Sequence, residues 1–203
     1  MDKPSFEKYC NTVKLCNACP LGISITRVPG DGDYVDPVIF LGEAPGAMEE
    51  ILGIPFIGRS GTLLREIFDR ANYNIHDGFI TNTVRCRPLD NRIPAIDEIK
   101  RCSSHTKNLI IALQPKFIVC VGASAAKLIK IYSSDPRVWG LISKLSGTVV
   151  NDVSLTIDGL TFGVDIGYIY HPSFIMRNQQ WKELYYDHIL QMVDYIRELK
   201  KVS

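Results

Sequence analysis

The sequence has no run of about 18 uncharged apolar residues, so no segment reads as a membrane span. Its first residues, Met-Asp-Lys-Pro-Ser-Phe-Glu, lack the apolar stretch of a secretory signal, and the expected location is cytoplasmic. An excess of charge of one sign is missing too: 23 Lys and Arg stand against 22 Asp and Glu, a formal net charge of +1. Affinity for nucleic acid must then come from a local basic surface rather than from the bulk field. No internal repeat, low-complexity segment or linker interrupts the chain, so residues 1–203 are expected to form a single domain. An apolar fraction of 46% with 22% charged residues suffices for a buried core and excludes a disordered tail, a collagen-like chain or a coiled coil.

What the sequence does contain is an alternation of strand-like and helix-like segments. Short apolar runs at 37–41, 79–82, 117–121 and 167–170 read as strands. Helical spacing of apolar residues covers 5–15, 61–72, 95–113, 122–131 and 179–199, with Pro94 and Pro115 bounding the third of these. Residues 147–165, rich in Gly and Asp turns, read as a small β-hairpin excursion. Strand–helix alternation with continuously apolar strands predicts an α/β fold, a three-layer αβα sandwich around a short, mainly parallel four-stranded sheet. In such folds ligands bind beyond the carboxyl ends of the strands. That rule singles out Gly42–Gly46, Asn82–Arg87, Gly122-Ala-Ser and His171-Pro-Ser173.

Each of these rim residues has a chemical and a structural reading. Glu43 could position a water or offset a developing cation, or it could cap the next helix. His171 ends the last strand at the ligand edge, where a structural histidine is the plain alternative. The Asn82 amide offers both a donor and an acceptor, which reading a base edge requires, yet the same side chain caps turns. Phe56, in a glycine-rich loop, is either core or an aromatic platform for a planar ligand. Arg85, Arg87, Arg92, Lys100 and Arg101 outnumber Asp90, Asp97 and Glu98 locally. They form either a solvated face or a phosphate-contacting surface.

Six cysteines without an export signal are expected to be reduced. Cys120 lies in a buried strand and Cys10 on the first helix, both as packing residues. Cys16 and Cys19, in Cys-Asn-Ala-Cys-Pro, could be a redox dithiol, half of a metal site or coincidence. They follow a helix rather than opening one after a strand, which argues against the redox motif. Cys86 and Cys102 are the candidates to complete a set of four, and four thiolates suit either a structural zinc or an iron–sulfur cluster.

Gly42-Glu-Ala-Pro-Gly46 with Gly53-Ile-Pro-Phe-Ile-Gly-Arg-Ser-Gly61 resembles the first motif of the iron–sulfur (family 4) uracil-DNA glycosylases. Thr81-Asn-Thr-Val-Arg-Cys-Arg-Pro88, with Asn91-Arg92 and Cys102 beyond, is similar to their second block. His171-Pro-Ser-Phe-Ile-Met-Arg-Asn178 resembles their closing motif. The likeness runs from about residue 14 to the last helix. It implies a [4Fe–4S] cluster on Cys16, Cys19, Cys86 and Cys102, with zinc as the alternative metal. It also implies a uracil pocket with the Gly42-Glu43-Ala44 backbone as a wall, Phe56 stacking on the base, Asn82 reading its edge and His171 facing O2. Glu43 and His171 would be the catalytic pair. Phe174, Ile175 and Met176 are the expected wedge, and Arg177 and Arg87 the expected DNA contacts. Ala44 stands where other glycosylases of the superfamily carry an aspartate, which leaves the carboxylate role to Glu43.

The expected activity is hydrolysis of the N-glycosidic bond of uracil in DNA by a monomer, leaving an abasic site. The alternatives are a catalytically silent iron–sulfur DNA-binding or replication accessory protein, or a glycosylase for another modified base.

Overall fold

The structure, a computed structural model, describes residues 2–23, 26–35 and 38–202. Residue 37, where the first apolar strand was expected to begin, lies outside them. The strands are β1 (Asp31–Gly32), β2 (Val38–Gly42), β3 (Phe79–Asn82), β4 (Phe117–Val121), β5 (Val149–Ile157) and β6 (Leu160–Ile169). They form one six-stranded sheet in the order β1-β3-β2-β4-β6-β5. The four inner strands β3, β2, β4 and β6 are parallel neighbours, and β1 and β5 pair antiparallel at the two edges.

The expectation of four strands is therefore corrected to six among the described residues. The excursion at 147–165 and the short strand at 167–170 are one structure, a hairpin whose second arm pairs with β5 and, through Asp165–Ile169, with β4. Its turn is Asp158-Gly159, both at positive φ (49° and 80°), which suits the right-handed twist of the flanking strands. Only alternate residues of the distal part of β5 are buried (Val153, Leu155 and Ile157), as expected of an edge strand with one face in solvent.

Alternation along the strands feeds two separate cores. The helices are α1 (Lys3–Lys14), α2 (Ala47–Leu52), α3 (Arg59–Arg70), α4 (Ile96–Leu113), α5 (Ala123–Tyr132), α6 (Ile142–Leu145), α7 (Pro172–Arg177) and α8 (Lys182–Val202). Ile39, Leu41, Ile118 and Cys120 pack with α1, α4 and α5 on one face. Val38, Phe40, Phe117 and Val119 pack with α3, α7 and α8 on the other. Cys10 is partly buried on α1 and Cys120 is fully buried in β4, as packing residues. Asp2 caps α1 by accepting from the Ser5 N–H at 3.0 Å. No helix among the described residues is long and apolar enough to cross a membrane.

Candidate active site

Because β2, β3, β4 and β6 run parallel, their carboxyl ends open on the same edge. The loops that leave them surround a cavity of about 1000 Å³. Glu43, Ala44, Phe56, Asn82 and His171 all line it, with Met176 and Arg177 at its rim. Gly42 is the floor. A methyl group there would run into both the tip of the Phe56 ring and Asn82 Oδ1, so glycine is what lets ring and amide meet above the end of β2.

The loops are tied to each other by buried hydrogen bonds. The Thr83 N–H and hydroxyl both donate to the Gly42 carbonyl (2.8 and 2.7 Å), and the Val84 N–H donates to the Glu43 carbonyl at 3.2 Å. Glu49, buried at the start of α2, accepts from the N–H groups of Gly46 (3.1 Å) and Gly58 (2.8 Å) and so clamps both loops around Phe56. Phe56 sits at φ 56°, a conformation that costs a non-glycine residue of the order of 1 kcal/mol or more. It is held there by Arg65, whose guanidinium donates to its carbonyl at 2.6 Å, and by Gly61, whose missing side chain admits that carbonyl.

Two polar groups are aimed rather than consumed. The Asn82 side chain is nearly buried, faces the cavity and makes no hydrogen bond among the described residues. The Glu43 carboxylate accepts from the Ser124 hydroxyl at 2.7 Å in the first turn of α5, where the helix end favours negative charge.

His171 caps α7. The Ser173 N–H donates to its Nδ1 at 3.2 Å, and the Ser173 hydroxyl lies 2.8 Å from the same nitrogen. An accepting Nδ1 puts the proton of the neutral ring on Nε2, leaving that N–H to donate. Burial pushes the His171 pKa down and outweighs the raising effect of Glu43, while Arg177 adds to the downward shift. The ring is accordingly a neutral donor at neutral pH.

Not every expected DNA contact faces the cavity. Ile175 is completely buried among the core residues behind α7. This corrects its place in the wedge: the six-residue helix turns Phe174, Met176 and Arg177 to the cavity and Ile175 inward. Arg87 does not line the cavity. Its guanidinium pairs with Glu50 at 3.2 Å and donates to Asn91 at 2.8 Å, bracing the loop beyond β3 against α2. Arg177 and Arg59 are exposed at the rim. Of the remaining basic stretch, Arg92 makes a two-pronged pair with Glu98 (2.6 and 2.8 Å), while Arg85 is buried.

Around the loop that follows β3, Cys86 and Cys102 come within electrostatic range of each other and of Cys16 and Cys19. Burial first, then the neighbouring sulfurs, push the Cys86 thiol up to about 12. All four are free thiols, and the Arg85 N–H approaches Cys102 Sγ at 3.3 Å. Among the described residues no group of three or more His, Cys, Asp or Glu side chains forms a ready metal cage.

His105, one turn beyond Cys102, is buried. Desolvation, with the Arg85 charge adding to it, holds its pKa down to about 4. As pH falls, the unfolded chain protonates this residue first, so its contribution to stability is complete above about 6.5 and is lost toward about 4. Thermal unfolding followed from about pH 7 to about pH 4.5 should therefore show roughly 2–3 kcal/mol more acid destabilisation in the wild type than in His105→Asn.

A family model described as the uracil DNA glycosylase superfamily matches residues 29–195, which include every cavity residue named above. The chain belongs to the uracil-DNA glycosylase superfamily. Among curated members it is similar to the type-4 uracil-DNA glycosylase of Archaeoglobus fulgidus, 31% identical over 89% of this chain and 88% of the relative. It is likewise similar to that of Thermotoga maritima, 33% identical over 82% and 81%. The Pyrobaculum aerophilum protein of the same name is 39% identical over 60% and 62%.

For a member of this superfamily, three residues of the site were not singled out from sequence. Ser124 stands in the rim segment Gly122-Ala-Ser without a role of its own. Glu49 carries a signal that could have been read, a carboxylate three residues after the Gly46 cap of α2. Arg65 is one polar position among several on α3 and carries none.

Proposed function

We propose that this protein is a uracil-DNA glycosylase, hydrolysing the N-glycosidic bond of uracil in DNA to leave an abasic site. The observation that carries the reading is that Glu43, Asn82 and His171, from the ends of three parallel strands, line one cavity with Phe56 in a chain of this superfamily.

A base in a duplex must leave the stack to reach such a cavity. Phe56 then supplies an apolar face for the ring. The Asn82 amide accepts from the uracil N3–H and donates to O4; cytosine reverses both groups and leaves a nearly buried amide mismatched. As the C1′–N1 bond breaks, its electron pair goes to the base and positive charge grows on the sugar. His171 Nε2–H donates to O2 and stabilises the departing anion, a preorganised donor of the kind worth roughly 3–4 kcal/mol of barrier. Glu43 offsets the sugar charge, orients the water that adds to C1′ and takes its proton. Met176 and Phe174 fill the gap in the stack, Arg177 and Arg59 meet phosphates, and Arg87 braces the DNA-facing loop. The protein acts as a monomer and as one domain over residues 1–203.

Cys16, Cys19, Cys86 and Cys102 would hold a [4Fe–4S] cluster. Their chemistry fits: four soft thiols in mutual electrostatic range, none in a disulfide, with the buried cation of Arg85 beside them. Bound there, the group would staple the N-terminal segment to the loop after β3 and to α4, and the reaction draws on no redox chemistry. Purified protein is expected to be brown with stoichiometric iron and sulfide; colourless protein with stoichiometric zinc would contradict this.

The test of the function is excision from a uracil-containing oligonucleotide beside a panel of other lesions. Abasic product from uracil supports the reading. Product from another base alone selects a different substrate, and DNA binding without product selects the silent accessory protein.

A further inference from the structure

Arg85 is among the largest fully buried side chains, with 1% exposure, and no carboxylate pairs with it among the described residues. Its guanidinium donates to three neutral oxygens: the Tyr9 hydroxyl at 3.2 Å, the Thr106 hydroxyl at 3.2 Å and the Asn82 carbonyl. Its backbone N–H points at Cys102 Sγ at 3.3 Å. The other ionisable groups in reach are uncharged at neutral pH. Burial pushes the Tyr9 and Tyr132 phenols up and holds His105 neutral down to about 4. A buried cation without a counter-charge is strongly destabilising, and among the described residues the group in electrostatic reach that a bound cluster would hold as an anion is Cys102, one of its four proposed ligands.

We infer that Arg85 is a positioning residue that couples the thiol cluster to the uracil pocket: its charge is balanced by the thiolates around Cys102, and its guanidinium fixes the backbone of the base-reading Asn82. This rests on the iron–sulfur reading of the four cysteines. It gives one residue two duties, at the end of β3 and beside Cys102 of α4. It also explains why a cation, rather than an apolar residue, occupies the space enclosed by α1, β3 and α4. Loss of the cluster would leave the charge stranded, and loss of the side chain would leave the Asn82 carbonyl unheld.

The test compares wild type, Arg85→Met and Arg85→Lys, each melted with its cluster and after anaerobic removal of iron by a chelator. Removal should lower the melting temperature of the wild type and of Arg85→Lys by roughly 5–10 °C more than that of Arg85→Met, because only the first two keep a stranded cation. A merely structural arginine predicts equal losses, and equal losses overturn the proposal. In the cluster-loaded Arg85→Met variant, KM for a uracil oligonucleotide should rise about tenfold with kcat within about twofold, and Arg85→Lys should recover part of the rise. An unchanged KM overturns the link to Asn82. Colourless wild-type protein overturns the cluster and this role together. Brown protein that excises nothing overturns the enzyme reading alone, since the melting comparison needs no activity.

Discussion

Glu43→Gln is expected to slow uracil excision by about three orders of magnitude under single-turnover conditions, while oligonucleotide affinity changes by less than about twofold. The substitution keeps the shape of the side chain and can still accept from the Ser124 hydroxyl, so the loop and the cavity wall remain in place. What it removes is the negative charge facing the sugar and the site that takes the proton from water. Both matter most after the C1′–N1 bond has begun to break, so the loss belongs in the chemical step rather than in binding. A rate within tenfold of the wild type would take Glu43 out of the mechanism. Ser124→Ala should lie between the two, since it loosens the carboxylate without discharging it.

His171→Ala is expected to cost 10²–10³ in the same assay, again with little change in affinity. The side chain is a neutral donor whose orientation is fixed by the Ser173 N–H at Nδ1, and alanine leaves the uracil anion without that partner at O2. His171→Gln, which returns a donor on a different stem, should recover part of the loss. Because burial depresses the His171 pKa, the wild-type rate should stay flat as pH falls through the ordinary imidazole range. It should decline only in more acid solution, when the ring finally protonates and loses its acceptor at Nδ1. Full activity in His171→Ala would show that the anion is stabilised elsewhere.

The parts of the fold written in continuous apolar runs were legible. β3 and β4 occupy the expected residues, and α4 starts one residue later than read, beyond Pro94. The β5–β6 hairpin was undervalued because an edge strand buries only alternate residues. Its Gly and Asp positions look like loop until the Asp158-Gly159 turn is seen to join two long arms. The site was legible where topology alone brings residues together: Glu43, Asn82 and His171 each stand at or just beyond the end of a strand read from its apolar residues. Ile175 was misplaced because Phe-Ile-Met reads as an exposed apolar triplet. The His171 cap and Pro172 in the first turn instead announce a helix, whose period sends the middle residue into the core. Glu49 and Arg65 act through loop backbone, and no local pattern states which carbonyl or N–H a side chain will find. The burial of Arg85 was equally hidden, because in sequence it is one more charge in a basic stretch.

Three strand ends share one small pocket, and free uracil, the product, probes it directly. A crystal structure of the wild-type protein soaked with uracil should show the ring against Phe56, the Asn82 amide at N3 and O4, and His171 Nε2 at O2. Uracil bound with its polar edge turned away from Asn82 and His171, or a cavity empty at saturating uracil, would contradict it.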